Sequence, residues 1–146
     1  MMHALYSRAD LLSKEVIGAC IEVHRVLGPG LIESVYEKCL LRELELRGLP
    51  ATSQQEVIIE YKGLRFEEIL KFDVLVQGCL LVELKAVEQV HPVHKAKLMS
   101  YMKLLDVPLG LIANFHEPKL TDGISRLILP GANLAVAVEP SGFEQR

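Results

Sequence analysis

Apolar residues at spacings of three and four along the first third of the chain predict two helices. In the first, over about residues 8–27, one apolar stripe is formed by Leu11, Leu12, Val16, Ala19, Cys20, Val23 and Leu27. Gly28-Pro29-Gly30 ends this helix, because glycine accepts a left-handed cap and proline cannot continue the helical hydrogen bonds. A second helix is predicted over about residues 32–47, with Gly48 as its cap.

The pattern changes to a period of two in the middle of the chain, which is typical of strands. Alternation from Val57 to Tyr61, a turn at Lys62-Gly63 and a return strand over residues 64–68 predict a hairpin. Residues 72–76 and 79–84 form two more predicted strands. Because these last two are apolar on both faces, we expect them at the centre of the sheet.

A third helix over about residues 93–105 is followed by a short apolar strand over residues 109–115. A strand, a helix and a strand of this length predict a right-handed crossover, so the last strand should lie parallel to residues 79–84. Residues 124–129 are expected to add an edge strand, and residues 139–146 to fray. The fold prediction is one α/β domain, a single mixed β-sheet flanked by helices, with its core over residues 8–130 and a C-terminal tail over 131–146.

Composition narrows the class of protein. The 146 residues are half apolar and a quarter charged, as in an ordinary globular domain, and the net charge of -3 gives no general attraction to nucleic acid. No apolar run approaches the roughly 20 residues that cross a bilayer, and the N-terminal residues lack a signal-peptide pattern. Cys20, Cys39 and Cys79 show no C-x-x-C spacing, which predicts free thiols and a cytoplasmic location.

Charged residues at the end of an apolar strand are the strongest candidates for chemistry. Glu83 and Lys85 are two residues apart and therefore project from one face of a strand, and Asp73 lies on the neighbouring strand. Two carboxylates offer oxygen ligands to Mg²⁺ or Mn²⁺, and a lysine beside them can orient a water or stabilise negative charge. An E-x-K triplet alone is expected by chance in about every such chain, and a salt bridge at the strand end is its alternative interpretation.

The turn between these two strands decides whether the carboxylates meet. A two-residue loop, 77–78, would put Asp73 on the face away from Glu83. A three-residue loop, 76–78, with its glycine left-handed would place Asp73 opposite Leu81 and diagonal to Glu83, roughly 7 Å away between backbones. An active site therefore requires a bulged turn at this glycine.

Ordered motifs over roughly residues 10–130 resemble those of the GxxExxY protein family. Gly30, Glu33 and Tyr36 occupy the naming positions. The likeness continues through the segments 46–49, 61–63, 72–76, 82–86 and 109–115. That family is placed in the PD-(D/E)XK nuclease-like superfamily, so the resemblance implies a restriction-endonuclease-like core with a helix leading into the sheet.

The resemblance implies a nuclease that hydrolyses phosphodiester bonds in DNA or RNA with Mg²⁺ or Mn²⁺. Asp73, Glu83 and Lys85 would be catalytic, and the two acids would hold the metal together with Glu33 and the backbone carbonyl of Leu84. Nucleic acid would be the partner, and a homodimer is expected because so small an acidic domain offers little surface to a duplex. The alternatives are an inactive nuclease-like domain that binds nucleic acid or a protein, and a structural or dimerisation module whose strand-end charges are closed ion pairs.

The third helix departs from the pattern of the family. Relatives tend to have glutamine four residues before a tyrosine, whereas this chain has Lys97 and Tyr101, one turn apart on one face. If that face meets the site, Lys97 competes with the metal or binds a phosphate; otherwise it is a solvated lysine. His24 is expected to line the site, and His91 and His94 are interpreted as polar residues at the start of the helix.

Overall fold

The computed structural model describes residues 1–134, so the expected fraying of residues 139–146 lies outside the described part of the chain. Its elements are α1 (Tyr6–Leu27), α2 (Glu33–Leu46), β1 (Ala51–Tyr61), β2 (Leu64–Val76), β3 (Leu80–Lys85), α3 (Pro92–Leu105), β4 (Leu109–Asn114), a 3₁₀ turn (Leu120–Gly123) and β5 (Ile124–Ile128). All three predicted helices are confirmed. The predicted strands over residues 64–68 and 72–76 are one continuous strand, β2.

The five strands form a single mixed sheet in the order β1-β2-β3-β4-β5. Strand β4 runs parallel to β3, and the other neighbours are antiparallel. Both the crossover through α3 and the edge position of β5 are therefore confirmed. Strand β3 lies at the centre with β4 beside it, and both are largely apolar and buried because helices cover both faces of the sheet there.

Helices cover both faces of the sheet and divide the core in two. The larger cluster joins α1 and α2 to one face and includes Val16, Tyr36, Leu40, Val82 and Leu111. The smaller one lies under α3 and includes Leu75, Leu81, Leu98, Met102 and Ile112. None of the helices within residues 1–134 is long and apolar enough to cross a membrane.

Helix α3 lies unusually close to β4 at Gly110. A Cβ atom at this position would come within 2.7 Å of the Met102 sulfur and 3.1 Å of a Leu98 methyl carbon. A larger residue at position 110 would have to displace the Met102 and Leu98 side chains, so glycine permits the close packing of α3 on the sheet. Lys97 and Tyr101 directly precede Leu98 and Met102 on α3, so their position relative to the strands follows from this contact.

Candidate active site

The turn between β2 and β3 is a three-residue loop, Gln77-Gly78-Cys79. Gln77 and Gly78 are both left-handed, with φ of 50° and 69°, and the backbone N–H of Cys79 donates to the Val76 carbonyl. Val76 then pairs with Leu80, so Cys79 is the extra residue of the bulge. The predicted loop length and left-handed glycine are confirmed, but the loop begins one residue later than the predicted 76–78.

This register brings Asp73 across from Glu83. Leu75 pairs with Leu81, and Val74 pairs with Val82. One further step along both strands therefore sets Asp73 opposite Glu83. The prediction that Asp73 lies opposite Leu81 was wrong by two residues. Because side chains alternate with a period of two, a shift of two residues leaves both carboxylates on the same face.

A bulge in β2 also shapes the position of Asp73. Thr52 of β1 pairs with Leu75, and Gln54 pairs with Lys71, so the three β2 residues 72–74 face only residue 53. A bulge of this kind bends the strand and redirects its side chains. Consecutive residues of a regular strand point to opposite faces, yet Phe72 and Asp73 line the same pocket. No glycine or proline marks this bulge in the sequence.

Backbone N–H groups at the end of β3 hold two of the acidic side chains. Asp73 Oδ2 accepts from the Leu84 N–H at 2.8 Å, and Glu33 Oε2 accepts from the Ala86 N–H at 3.2 Å. Glu33 is the first residue of α2, which brings its carboxylate to this strand end from the opposite face of the sheet. Both carboxylates are thus directed to the two residues on either side of Lys85.

Glu83 and Lys85 project side by side from β3. Glu83 Oε2 and Lys85 Nζ are 3.6 Å apart, and both side chains are 15% exposed. Next to Glu83 lies an open pocket of about 190 Å³. A structural module with closed ion pairs would require that no such pocket be present, so the geometry does not favour that alternative.

The pocket joins β2 and β3 to α3. It is lined by Lys71, Phe72, Asp73, Leu81, Glu83, Lys97, Leu98 and Tyr101. The face of α3 that carries Lys97 and Tyr101 therefore meets the carboxylates, and the Lys97 ammonium lies 5.7 Å from the centre of the Tyr101 ring. Lys71 is a second cation of the pocket, which sequence reasoning missed although its spacing of two residues from Asp73 was an available signal.

Burial and neighbouring negative charges raise the pKa of both opposing carboxyl groups. For Asp73, burial is the largest cause; the Leu84 N–H opposes it, and the charge of Glu33 adds to it. For Glu83, burial and then the charge of Asp73 outweigh the attraction of Lys85 and Lys97. Two half-buried negative charges across adjacent strands are costly, and a bound cation would relieve that cost.

Glu37 is an acidic residue of the site that sequence reasoning missed. Its pKa is raised first by burial and then by the charge of Asp73, with a smaller contribution from Glu33. It follows Glu33 by four residues on α2, so both side chains lie on one face of the helix. That spacing was the available signal. Glu37 extends the negative region of the site along α2.

Tyr36 shapes the corner that precedes Glu33. Its hydroxyl donates to the Gly28 carbonyl and accepts from the Leu31 N–H at 3.1 Å. The buried ring stacks on Phe115 with the centroids 4.4 Å apart. Gly30 in this corner has a φ of 97°, which glycine adopts without strain. The tyrosine thus connects the corner that leads into α2 with the end of β4.

We expect Tyr36→Phe to lower the free energy of unfolding by about 1–2 kcal/mol, because the ring contact stays while two hydrogen bonds are lost. Denaturant unfolding measures this loss. The matched control is Tyr61→Phe, since Tyr61 is exposed and the structure gives its hydroxyl no bond within residues 1–134. Equal stability of the two variants would show that the Tyr36 hydroxyl does not hold the corner.

Asn114 is a buried polar residue at the end of β4 and is 2% exposed. Its Oδ1 accepts from the backbone N–H groups of Val87 and His116, and its Nδ2 donates to the Val87 carbonyl at 2.8 Å. The segment that follows Lys85 is thereby bound to the neighbouring strand. In the sequence, the only indication of this role was a single asparagine at the end of an apolar strand.

His24 lies away from this pocket, contrary to expectation. Its Nε2 is 2.8 Å from the Glu117 carbonyl, and it lines a separate groove with Ile21 and Pro118. The reason is that α1 packs on the face of the sheet opposite α3. His91 and His94 do lie at the start of α3, where the His91 N–H donates to His94 Nδ1 at 3.2 Å.

The donor types of the site suit a hard divalent cation. Asp73 and Glu83 present carboxylate oxygens on one face, and Glu33 adds a third carboxylate near the strand end. Within residues 1–134, no group of three or more His, Cys, Asp or Glu side chains is arranged to hold a metal ion. The residues therefore fit a metal by chemistry and charge, with a coordination shell that the protein side chains do not complete.

Comparison with known proteins gives one match. The family model of the PD-(D/E)XK nuclease superfamily matches residues 10–127, from within α1 to within β5. Neither the curated proteins nor the solved structures contain a match. The matched region contains all the acidic and lysine residues of the pocket.

Proposed function

This chain belongs to the PD-(D/E)XK nuclease superfamily, and we propose on that premise that it hydrolyses phosphodiester bonds in DNA or RNA. One observation carries the proposal. Asp73 and Glu83 lie opposite each other on adjacent strands, with raised pKa values, beside Lys85 and an open pocket. Perturbed carboxylates that converge on a pocket are typical of active sites.

We propose that Asp73, Glu83 and the Leu84 carbonyl hold Mg²⁺ or Mn²⁺, with Glu33 as a further acidic residue. When bound, such an ion lowers the pKa of a water and neutralises charge on a phosphate. The hydrogen bonds to Asp73 and Glu33 keep these acids in place before any ligand arrives. Lys85 is the residue that orients the attacking water and stabilises negative charge on the phosphate.

Lys97 and Tyr101 have the proposed role of lining the substrate side of the pocket. They reach it from α3, opposite the strands that carry the carboxylates. An ammonium group here can contact a phosphate oxygen, and an aromatic ring can stack on a base. The overall charge of -3 means that attraction to nucleic acid has to come from such local cations.

We further propose that the chain belongs to the GxxExxY family within this superfamily. Its three naming residues act together in one corner: Gly30 is left-handed, Tyr36 holds the loop and Glu33 begins α2. The pattern therefore has a structural reason, because the tyrosine hydroxyl and the glycine set the position from which the glutamate reaches Ala86.

The first experiment is a cleavage assay of the purified chain with Mn²⁺ or Mg²⁺. Circular plasmid, single-stranded DNA and RNA oligonucleotides are the substrates. We expect metal-dependent cleavage of at least one class, stopped by a chelator. Absence of cleavage on all three, with metal shown to bind, would contradict the nuclease proposal.

An inactive nuclease-like domain is the second candidate, and the cations of the pocket favour it. Lys71 and Lys97 line the pocket together with Asp73 and Glu83, and Lys85 is 3.6 Å from Glu83. Positive side chains at these positions already offset part of the negative charge, so they compete with a metal ion. Binding of oligonucleotide without cleavage in the assay above would identify this candidate.

We expect Lys97→Gln to increase the affinity for Mn²⁺ about 10-fold, because one positive charge near the ion is removed. Lys95→Gln is the matched control, since Lys95 is exposed on α3 and does not line the pocket. Isothermal titration calorimetry of both variants measures the difference. An unchanged affinity would show that Lys97 does not act on the ion.

A homodimer and a cytoplasmic location remain proposals. Cys20, Cys39 and Cys79 are free thiols, and burial raises the pKa of the Cys20 thiol to about 12, which makes it unreactive. Unpaired cysteines suit a reducing compartment and support the cytoplasmic proposal. A second copy would add surface for holding a nucleic acid, and one exposed element of the fold suits such pairing.

A further inference from the structure

β1 and β2 extend beyond the rest of the sheet as a two-stranded arm, residues 54–71. Strand β3 pairs with β2 only from Val74 to Val76, so the strands of the arm pair only with each other. At roughly 3.3 Å per residue, the arm is about 25 Å long. A two-stranded ribbon is at best marginally stable in water, so an arm of this length is expected to have a partner.

Large apolar side chains are exposed on both faces of the arm. They are Ile58, Tyr61, Leu64, Phe66 and Ile69, of which all but Phe66 are more than half exposed. Tyr61 pairs with Leu64, and Ile59 pairs with Phe66, on the face that continues the core under α3. Within residues 1–134, no other element covers these side chains. The arm therefore exposes apolar side chains on both faces and is open at its edge.

The outer edge of β1 carries backbone groups that β2 does not use. The turn at Lys62-Gly63 has two left-handed residues, so the closing pair, Tyr61 and Leu64, exchanges both of its hydrogen bonds. Because the pattern alternates, the backbone N–H and C=O groups of residues 57 and 59 also point toward β2. Residues 56, 58 and 60 direct their N–H and C=O groups outward, along an edge where the described chain has no strand.

We propose that this edge of β1 pairs in an antiparallel manner with β1 of a second copy of the chain, which joins two five-stranded sheets into one. The proposal concerns assembly and does not depend on cleavage. An exposed, apolar edge strand is a template for such pairing, and natural proteins seldom leave one unpaired. On the face that continues the core under α3, the apolar residues Val57, Ile59 and Tyr61 of β1 would then lie beside the same three residues of the second copy.

Charge selects the register of this pairing. A two-fold axis that relates the two copies can pass through residue 58, 59 or 60 of β1. The axis at Ile59 sets Glu56 of each copy beside Lys62 of the other. The axis at Ile58 would set Glu56 opposite Glu60, and the axis at Glu60 would set that residue opposite itself. Like charges directly opposite each other destabilise a strand pair, whereas opposite charges stabilise it. The register centred on Ile59 is therefore favoured.

The same charges disfavour a nucleic acid as the partner of the arm. Its cations are Lys62, Arg65 and Lys71, and its anions are Glu56, Glu60, Glu67 and Glu68, so it is negative overall. Arg65 is also paired with Glu60 at 3.0 Å. A groove that follows a phosphate backbone needs a surplus of positive charge.

Sedimentation velocity of the metal-free full chain tests the proposal. We expect a dimer that Ile58→Glu weakens at least 100-fold, because the change places like charges opposite each other twice in a two-fold interface. Leu11→Glu is the control: Leu11 is 68% exposed on α1, away from the arm, and this variant should stay dimeric. Circular dichroism confirms that both variants fold.

Charge reversal tests the register. Glu56→Lys and Lys62→Glu should each weaken the dimer about 10-fold, and the double variant should restore it. If the double variant instead lost dimer affinity by the sum of the two single effects, the register would be contradicted. A monomeric natural chain, or an unchanged dimer in Ile58→Glu, would overturn the proposal. The proposal would also be overturned if the chain were monomeric and the Ile58→Glu and Tyr61→Ala variants bound oligonucleotide more weakly. The partner of the arm would then be nucleic acid.

Discussion

Glu83→Gln should abolish metal-dependent cleavage and at the same time raise the stability of the metal-free protein. Glutamine keeps the size of the side chain but removes the charged oxygen ligand, so we expect cleavage to fall at least about 1,000-fold. The gain in stability has a separate cause. Burial and the charge of Asp73 raise the pKa of Glu83, which means that its ionised form is penalised in the folded state.

The dependence on pH follows from the same raised pKa. Ionised Glu83 destabilises the fold at pH values above its folded pKa. As pH falls through that value, the penalty is lost, and it is absent below the unfolded pKa. The Glu83→Gln variant should therefore melt at a higher temperature than the natural chain at neutral pH. The difference should shrink toward zero in acid.

Thermal melting in chelator at neutral and acid pH, with cleavage assays in Mn²⁺, measures both effects. Glu88→Gln is the control, because Glu88 is exposed in the segment that follows β3 and does not line the pocket. A Glu83→Gln variant less stable than the natural chain would show that the contact with Lys85 is a structural ion pair. Full cleavage by the same variant would remove Glu83 from the active site.

Asn114→Leu should lower the free energy of unfolding by about 3 kcal/mol. Leucine has a similar size, but it leaves the Val87 N–H and carbonyl and the His116 N–H without their partner in a buried place. The segment after Lys85 would then lose its attachment to β4. We expect a loss of cleavage as well, since Lys85 directly precedes this segment.

Denaturant unfolding of a graded pair of variants distinguishes hydrogen bonding from packing. Asn114→Asp keeps the two acceptor bonds, and in acid its protonated carboxyl can donate to the Val87 carbonyl, so its loss measured in acid should be smaller than that of Asn114→Leu. Thr121→Ala, at an exposed position near the same end of the sheet, is the control. A loss below about 1 kcal/mol for Asn114→Leu would show that water replaces these bonds.

Helices and central strands were accessible from the sequence because their signals are local. The apolar stripe from Leu12 onward and the Gly-Pro-Gly corner determine α1 and its end without reference to other elements, although Leu11, expected in the stripe, is exposed. The apolar character of residues 79–84 determined a central strand, since only a strand covered on both faces has it. The shared face of Glu83 and Lys85 also followed from a local pattern, because side chains two residues apart on a strand project from the same face.

The place of other residues at the site depended on contacts between elements that are far apart in the chain. Glu37 belongs to the site because α2 packs with this side chain near Asp73, and Lys71 belongs to it because α3 closes a pocket over this part of β2. His24 was expected at the site from its place in the family pattern, and the packing of α1 on the other face put it elsewhere.

By itself, the sequence determined the three helices and the crossover, and it carried the motifs that resemble the nuclease superfamily. It also showed that a shared site needs a three-residue turn before β3. The tertiary structure alone decided that Asp73 lies opposite Glu83 and not Leu81, and that α3 brings Lys97 to both. Registers that differ by two residues give the same alternation of buried and exposed side chains. The choice between them rests on hydrogen bonds and packing between residues far apart in the chain, which only the assembled sheet contains.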